Sequence, residues 1–303
     1  GYAVRAADTN GASASTPQTL QVVGEVAAGS LAKQSVQAGT AIRIMTGAPI
    51  PSGADTVVPF EDNDEPQRRG QLRTFPFSIG ILRQTAVDSN IRRAGEDVPR
   101  GTRVLEKGTE IRPSYVGVLA SLGYQTVPVI RRPRVAVLAT GNELSDISQP
   151  LGPGQLYNSN TYSIAAQVLD CGAVPKILGI ALDQVSALTE KIRQGLDSDL
   201  LITSGGVSMG DYDMVKDVLA QEGEITFWTV RMKPGKPLAF GVFNTASGRK
   251  VPHLGLPGNP VSAMITFELF ARSAIFKMMG KKNWGRTIVQ GILEDSLGNR
   301  DGR

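Results

Sequence analysis

Arg134-Val135-Ala136-Val137-Leu138-Ala139 leads straight into Thr140-Gly141-Asn142-Glu143-Leu144. The first part is apolar at consecutive positions, so both faces of its pleat must be covered, as they are in strands of a parallel sheet. The second part is glycine, hydroxyl, amide and carboxylate, which is loop chemistry. Working outward, Ser159 to Cys171 carries apolar Ile164, Val168 and Leu169 and stops at Gly172, which predicts a helix. Lys176 to Leu182 reads as strand, and Val185 to Leu196 as a helix with Val185, Leu188, Ile192 and Leu196 on one stripe. Asp199 to Thr203 is a further strand, Tyr212 to Gln221 a helix. Strands follow at Ile225 to Val230, at Pro237 to Val242 and before Pro257, then a long helix from about Pro260 to Met279. Strands alternating with crossover helices predict a doubly wound, mainly parallel α/β domain over residues 133–280.

Before residue 133 the pattern differs. Leu20 to Val23, Thr40 to Ile44, Thr56 to Phe60 and Gly101 to Leu105 are short apolar runs, rich in β-branched residues and bounded by turn formers. They predict a β-rich domain over residues 1–101. Residues 102–132 then form a linker and a helical part, with a helix from Pro113 to Leu122: Pro113 suits the first turn and Gly123 the stop. Past Gly280 only Thr287 to Leu293 reads as strand, so residues 281–303 are expected to open a C-terminal β domain. That lone strand, and a start at Gly1 rather than methionine, read as the middle of a longer multidomain protein.

Composition narrows the chemistry. Thirty-four glycines and 18 prolines among 303 residues exclude a helical bundle or coiled coil. Thirty-two basic against 28 acidic residues give +4, a surplus that permits anion binding without indicating nucleic acid. The single cysteine, Cys171, excludes an intrachain disulfide and a cysteine-cluster metal site, and points to a reducing, cytoplasmic compartment. The single histidine, His253, excludes a multi-histidine zinc site and reads as structural. No apolar run approaches a membrane span, and no signal-peptide pattern opens the chain. Any metal would be a hard cation on carboxylates and phosphates, with Mg2+ the simplest choice.

Ligands of open α/β sheets bind at the carboxyl ends of the strands, so the residues just past each predicted strand are the candidates. Ser204-Gly205-Gly206-Val207-Ser208-Met209-Gly210 combines glycines, hydroxyls and a following helix N-terminus, a phosphate-cradling arrangement; Pro257-Gly258-Asn259-Pro260 repeats it. The alternative is that these glycines only permit tight turns. Neither loop is a dinucleotide or Walker fingerprint. Glu143, Asp183 and Asp213 fall just past strand ends, where phosphates with a bridging Mg2+ would need carboxylates. Asp183 could equally cap the next helix, and Asp213 could be first-turn charge. Lys233 and Lys236, set among Pro234, Gly235 and Pro237, suit an oxyanion or are surface lysines. In the β-rich part, Thr46 and Gly47 follow a strand, and Arg92-Arg93 stand beside Glu96 and Asp97. Spacing does not decide whether those charges pair or face a ligand.

Taken together these stretches resemble the molybdopterin molybdenumtransferase family, which includes the E domain of gephyrin. The carriers are Gly1-Tyr2-Ala3-Val4, Ile42 to Pro49, Asn90 to Arg93 with Gly95-Glu96-Asp97, Thr140 to Leu144, Ser204 to Gly210, Lys233 to Pro237 and Leu256 to Ser262, in the family's order. The resemblance implies an elongated four-domain protein, working as a homodimer, that inserts molybdate into adenylylated molybdopterin with Mg2+-dependent release of AMP and molybdenum cofactor. It implies metal-associated Glu143, Asp183 and Asp213, with Glu143 and Asp213 as ligands. It also implies a pterin-phosphate cradle of Ser204, Gly205, Gly206, Ser208, Pro257, Gly258, Asn259 and Pro260. Lys233 and Lys236 become anion contacts, and Thr46 and Asp97 join the catalytic set from the β domain. Asn142 stands where relatives often carry aspartate. Molybdopterin adenylyltransferase and molybdoenzymes are the partners implied, without nucleic acid or membrane. The alternatives are the adenylyltransferase reaction itself and a gephyrin-like scaffold.

Overall fold

The computed structural model describes residues 1–68, 77–205, 223–292 and 294–296. The chain divides into two compact units, Gly1–Leu105 and Glu106–Arg303.

The first unit is built on a five-stranded mixed sheet. Its strands are β1 (Tyr2–Val4), β2 (Gln18–Val26), β3 (Thr40–Ile44), β4 (Thr56–Val58) and β5 (Phe77–Ile81), in the order β4-β1-β3-β2-β5. Both faces are packed, and side-chain alternation assigns them: Tyr2, Val4 and Ala41 face one cluster, Ala3, Ile42 and Ile44 the other. In β2 a register shift between Val22 and Gly24 changes the parity. Leu20 and Val22 therefore join the first cluster while Val26 joins the second. Gly80 admits a carboxylate into the sheet: its N–H donates to Asp64 Oδ1 at 2.9 Å, and a Cβ there would lie 2.8 Å from Asp64 Oδ2. The strand expected at Gly101–Leu105 is not formed. Thr102 N–H turns back to Pro99 O at 3.1 Å instead, because an extended run needs a neighbouring strand for its backbone groups and this one has none among the described residues.

In the second unit, α1 (Pro113–Ser121) begins on proline as expected and ends at Gly123, whose φ of 80° is the left-handed stop. Then come β6 (Arg134–Thr140), β7 (Leu144–Ser145), β8 (Leu156–Tyr157), α2 (Asn160–Asp170), β9 (Val174–Ala181), α3 (Val185–Gly195) and β10 (Leu200–Ser204). The hairpin β11 (Gly223–Thr229) and β12 (Pro237–Asn244), β13 (Lys250–Leu256), α4 (Pro260–Thr266) and α5 (Arg272–Met278) complete it. The helix expected at Tyr212–Gln221 lies outside the described residues.

The main sheet runs β11-β12-β13-β10-β6-β9. β13, β10, β6 and β9 are mutually parallel; β12 is antiparallel to both its neighbours. Alternation again splits the core. Val135, Val137, Leu200 and Ile202 face α2 and the C-terminal helix, while Ala136, Leu138 and Leu201 face α3. From β6 the chain steps outward to β9 and then returns past it to β10. The order reverses between β6 and β10, and their carboxyl ends frame the crevice where doubly wound sheets bind ligands.

α4 and α5 are one helical run joined by a π segment at Phe267–Ala271. Ala263, Phe267, Ala271 and Ile275 all lie in the core, four residues apart. On a helix of 3.6 residues per turn each such step drifts by about 40°. The π segment unwinds the run and keeps that line facing the sheet. At the opposite, amino edge, Asp199 accepts two hydrogen bonds from Arg131 at 2.5 and 2.6 Å and one from Arg134 N–H. The Arg131 guanidinium holds the Asp199 carboxyl below its usual range. Residues 287–292 form no strand: Ile288, Val289 and Ile292 are 82–97% exposed, with no partner strand to receive their backbone groups among the described residues. No helix among the described residues is long and apolar enough to cross a membrane.

Candidate active site

Strand registers place several loops along one edge. Ser204 is level with Ala139 and with Leu256, and Thr140 with Ala181. The stretches after Thr140, Ala181, Ser204 and Leu256 therefore leave the sheet together. The β11–β12 turn, residues 230–236, reaches the same edge because β12 runs against β13, with Ala239 opposite Gly255.

At the β6/β10 switch point the loops are in contact. Gly205 has φ 91°, and a Cβ there would lie 2.4 Å from Thr140 O and 3.0 Å from Thr140 Oγ1. Only glycine fits so close to the neighbouring strand end. On its other side, a Cβ on Gly258 would be 3.7 Å from the Gly205 Cα. Asn160, at the start of α2, ties the two glycine loops together. Its Nδ2 donates to Ser204 Oγ at 2.7 Å and to Gly258 O at 2.8 Å, and Ser204 Oγ donates on to Pro257 O at 3.3 Å. So Ser204, Gly205, Pro257 and Gly258 are brought together. Asn259 Oδ1 accepts from Ser262 N–H at 3.1 Å as the cap of α4, with Pro260 at its first turn. Gly206 and Ser208 lie outside the described residues.

The carboxylates divide. Glu143 is exposed and folded over Gly141, where a Cβ would lie 2.4 Å from its Oε2. Asp183 is engaged with the neighbouring loop: Oδ2 accepts from Asn142 N–H at 3.2 Å, while Asp183 N–H donates to Asn142 Oδ1 at 3.1 Å. The helix cap falls at Gln184 rather than Asp183. Asn142 thus clasps the β6 and β9 ends. Asp213 lies outside the described residues. Among the described residues no three metal-ligating side chains form a cluster. Mg2+, which takes one or two carboxylates and completes its shell with phosphate and water, fits an exposed oxygen donor such as Glu143.

Lys233 and Lys236 are both exposed in the β11–β12 turn. Neither has an ion-pair partner among the described residues. Gly235 between them has φ 100° and seats against α4: a Cβ there would be 2.6 Å from Thr266 Oγ1. The turn is anchored at its glycine while its lysines stay in solvent.

Thr46 and Asp97 belong to the first unit. Thr46 and Gly47 are the exposed centre of a turn closed by Ala48 N–H to Met45 O at 3.0 Å. Asp97 receives Arg92 Nη1 on both oxygens at 2.8 and 2.9 Å, Arg93 pairs with Asp88, and Glu96 accepts from Arg93 N–H. Within this stretch Arg92 therefore pairs with Asp97, while Arg93 pairs with Asp88 just before it. His253 is fully buried in β13 with Nε2 3.0 Å from Thr203 Oγ1, and burial pushes its pKa down to about 4. Cys171 is buried in the core, and burial raises its thiol pKa. The residue that sequence reasoning missed is Asn160. An amide at the first position of a helix that follows a candidate strand-end loop was its only signal.

Two family descriptions match the chain: "MoeA N-terminal region (domain I and II)" over residues 1–123 and "Probable molybdopterin binding domain" over residues 136–277. Molybdopterin molybdenumtransferase 2 of Mycobacterium tuberculosis is 40% identical over 310 residues, covering 100% of this chain and 73% of its own length. Molybdopterin molybdenumtransferase of a Nostoc species is 40% identical over 306 residues, covering 100% and 67%. The crystal structure of molybdopterin biosynthesis moeA protein from Pyrococcus horikoshii OT3 superposes with a TM-score of 0.71 at 32% identity, covering 94% of this chain and 67% of that one. With both family regions matched in order, relatives of that name along the whole chain and a shared fold, this chain belongs to the molybdopterin molybdenumtransferase family, transferases of molybdenum cofactor biosynthesis.

Proposed function

We propose that the chain inserts molybdate into adenylylated molybdopterin, with Mg2+-dependent cleavage of the adenylate and release of AMP and molybdenum cofactor. The supporting observation is the convergence at the β6/β10 switch point. There the Ser204–Gly205 and Pro257–Gly258 loops are stapled through Asn160, on the same sheet edge as Glu143 and the turn carrying Lys233 and Lys236. Backbone amides and hydroxyls of the two loops, with Gly206 and Ser208, would hold the phosphate of the pterin substrate. Asn259 and Pro260 would fix the second loop at the head of the helix. Lys233 and Lys236, which have no ion-pair partner among the described residues, would receive the molybdate oxyanion. Glu143 and Asp213 would hold Mg2+, which when bound neutralises charge on the phosphate oxygens. Asp183 would keep the β6 loop in place through Asn142.

Thr46 and Asp97 are proposed as the contribution of the first unit, the working form as a cytoplasmic homodimer. Molybdopterin adenylyltransferase is the proposed supplier of substrate, and molybdoenzymes the acceptors of product. One product assay separates the alternatives. Given Mg2+, molybdate and adenylylated molybdopterin, the protein should release AMP and form cofactor. If ATP and free molybdopterin instead yield the adenylate, the activity is that of the adenylyltransferase. If neither product forms and a receptor-tail peptide is captured, the protein is a scaffold.

A further inference from the structure

Two buried polar atoms at the switch point have no hydrogen-bond partner among the described residues: Thr140 Oγ1 and Asn160 Oδ1. Thr140 is 4% and Asn160 9% exposed. Such atoms cost stability unless something satisfies them. Other buried side chains here share that condition, among them Gln167 and Thr266, so orphanhood alone identifies nothing. Location separates the pair. Thr140 is the last residue of β6 and its Oγ1 lies against Gly205; Asn160 bridges the loops on either side of that glycine. Both sit where a doubly wound sheet meets its ligand. Both amide hydrogens of Asn160 are committed to Ser204 and Gly258, which leaves its carbonyl as an acceptor only.

We propose that the Thr140 hydroxyl and the Asn160 carbonyl are substrate-binding groups that take up an N–H or O–H edge of the bound substrate, resting on the functional reading above. A fully ionised phosphate offers only acceptors and cannot satisfy Asn160 Oδ1. The complement of Asn160 Oδ1 must be a hydrogen-bond donor, and the Thr140 hydroxyl can accept from the same edge. An adenylylated pterin has two: the amino and ring N–H edge of the pterin, and the amino and ribose hydroxyl groups of the adenosine. The pair is therefore a selector for the organic part of the substrate, while the glycine loops hold its phosphate.

The test is equilibrium binding of molybdopterin and of AMP, as separate probes, to the full chain and its variants. Thr140→Val removes the hydroxyl and keeps the shape. A hydroxyl with no partner among the described residues loses no internal hydrogen bond on replacement, so the thermal midpoint should stay or rise. Affinity for one probe should fall about ten-fold, the equivalent of one net hydrogen bond. Thr140→Ser should retain that affinity. In turnover KM should rise with kcat kept, a split that a purely structural hydroxyl would not produce. Loss confined to molybdopterin assigns the pterin edge; loss confined to AMP assigns the adenosine. Asn160→Ala should weaken the same probe and also lower the midpoint, since the loop staple goes with it. If Thr140→Val binds both probes within two-fold of the parent, the inference is overturned while the functional reading stands. If the parent binds neither probe, the functional reading itself falls and takes the pair with it.

Discussion

Mild acid should destabilise the α/β unit through one imidazole. His253 is fully buried, with Thr203 Oγ1 at 3.0 Å from Nε2, no partner for Nδ1 among the described residues and the edge of Phe243 at a centroid distance of 5.6 Å. An imidazolium carries two N–H donors and would find one acceptor, so burial pushes the pKa from 6.5 down to about 4. Between those values the unfolded chain binds a proton that the folded chain refuses. Stability is therefore complete above about pH 6.5 and drains away as the pH falls toward about 4. A gap of roughly 2.5 units at about 1.4 kcal/mol each makes the full loss about 3–4 kcal/mol, of which about 1 kcal/mol goes between pH 7 and pH 5.5. That upper window lies above the ordinary carboxylate range, and His253 is the chain's only histidine. Urea unfolding followed by tryptophan fluorescence reads the right unit, since both tryptophans, Trp228 and Trp284, lie in Glu106–Arg303. The urea midpoint should fall across the window with an unchanged m-value. In His253→Gln, which cannot titrate there, the midpoint should be flat. An equal slope in both proteins would refute the reasoning.

Three further outcomes follow from the site. Gly205→Ala places a Cβ 2.4 Å from Thr140 O at a φ of 91°; strain and overpacking together should cost about 2–4 kcal/mol in urea unfolding. A cost below about 1 kcal/mol would mean that the loop moves freely. Asn259→Ala removes the cap on Ser262 N–H and should cost about 1 kcal/mol, with Asn259→Asp restoring most of it. Glu143→Gln should leave stability within about 0.5 kcal/mol, because the side chain is exposed. It should raise the Mg2+ concentration for half-maximal AMP release by about ten- to a hundred-fold; an unshifted Mg2+ titration removes Glu143 from the metal set.

The legible parts of the fold are those where local pattern and partner agree. β3 and the proline-to-glycine span of α1 fall where β-branched runs and helix punctuation put them. Gly101–Leu105 and residues 287–292 have the same local pattern and no ladder, because a strand exists only with a partner and residue type does not announce one. β5 was hidden by Gly80, which lowers strand propensity while making room for Asp64. The direction of β12 was readable: residues 230–236 are too few for a crossover helix, so β11 and β12 had to pair antiparallel. In the site, the glycine-rich loops announced themselves by composition. Asn160 did not, since its function depends on meeting Ser204 and Gly258 from far away in sequence. The opposite holds for Asp97, whose charge drew attention and whose carboxylate is occupied by Arg92.

The π segment at Phe267–Ala271 behaves as a phase shifter within the C-terminal helical run. Upstream, Thr266 must face Gly235 at the root of the lysine turn; downstream, Ile275 must face the sheet. A regular helix that satisfied the first would carry the second out of line by the accumulated drift. The extra residue lets one rod serve two clients, so the lysine turn and the body of the core are held in fixed angular relation. Removing a single residue there would rotate everything after it by about 100°, and the core would lose its anchor while the loops at the other end of the rod kept theirs.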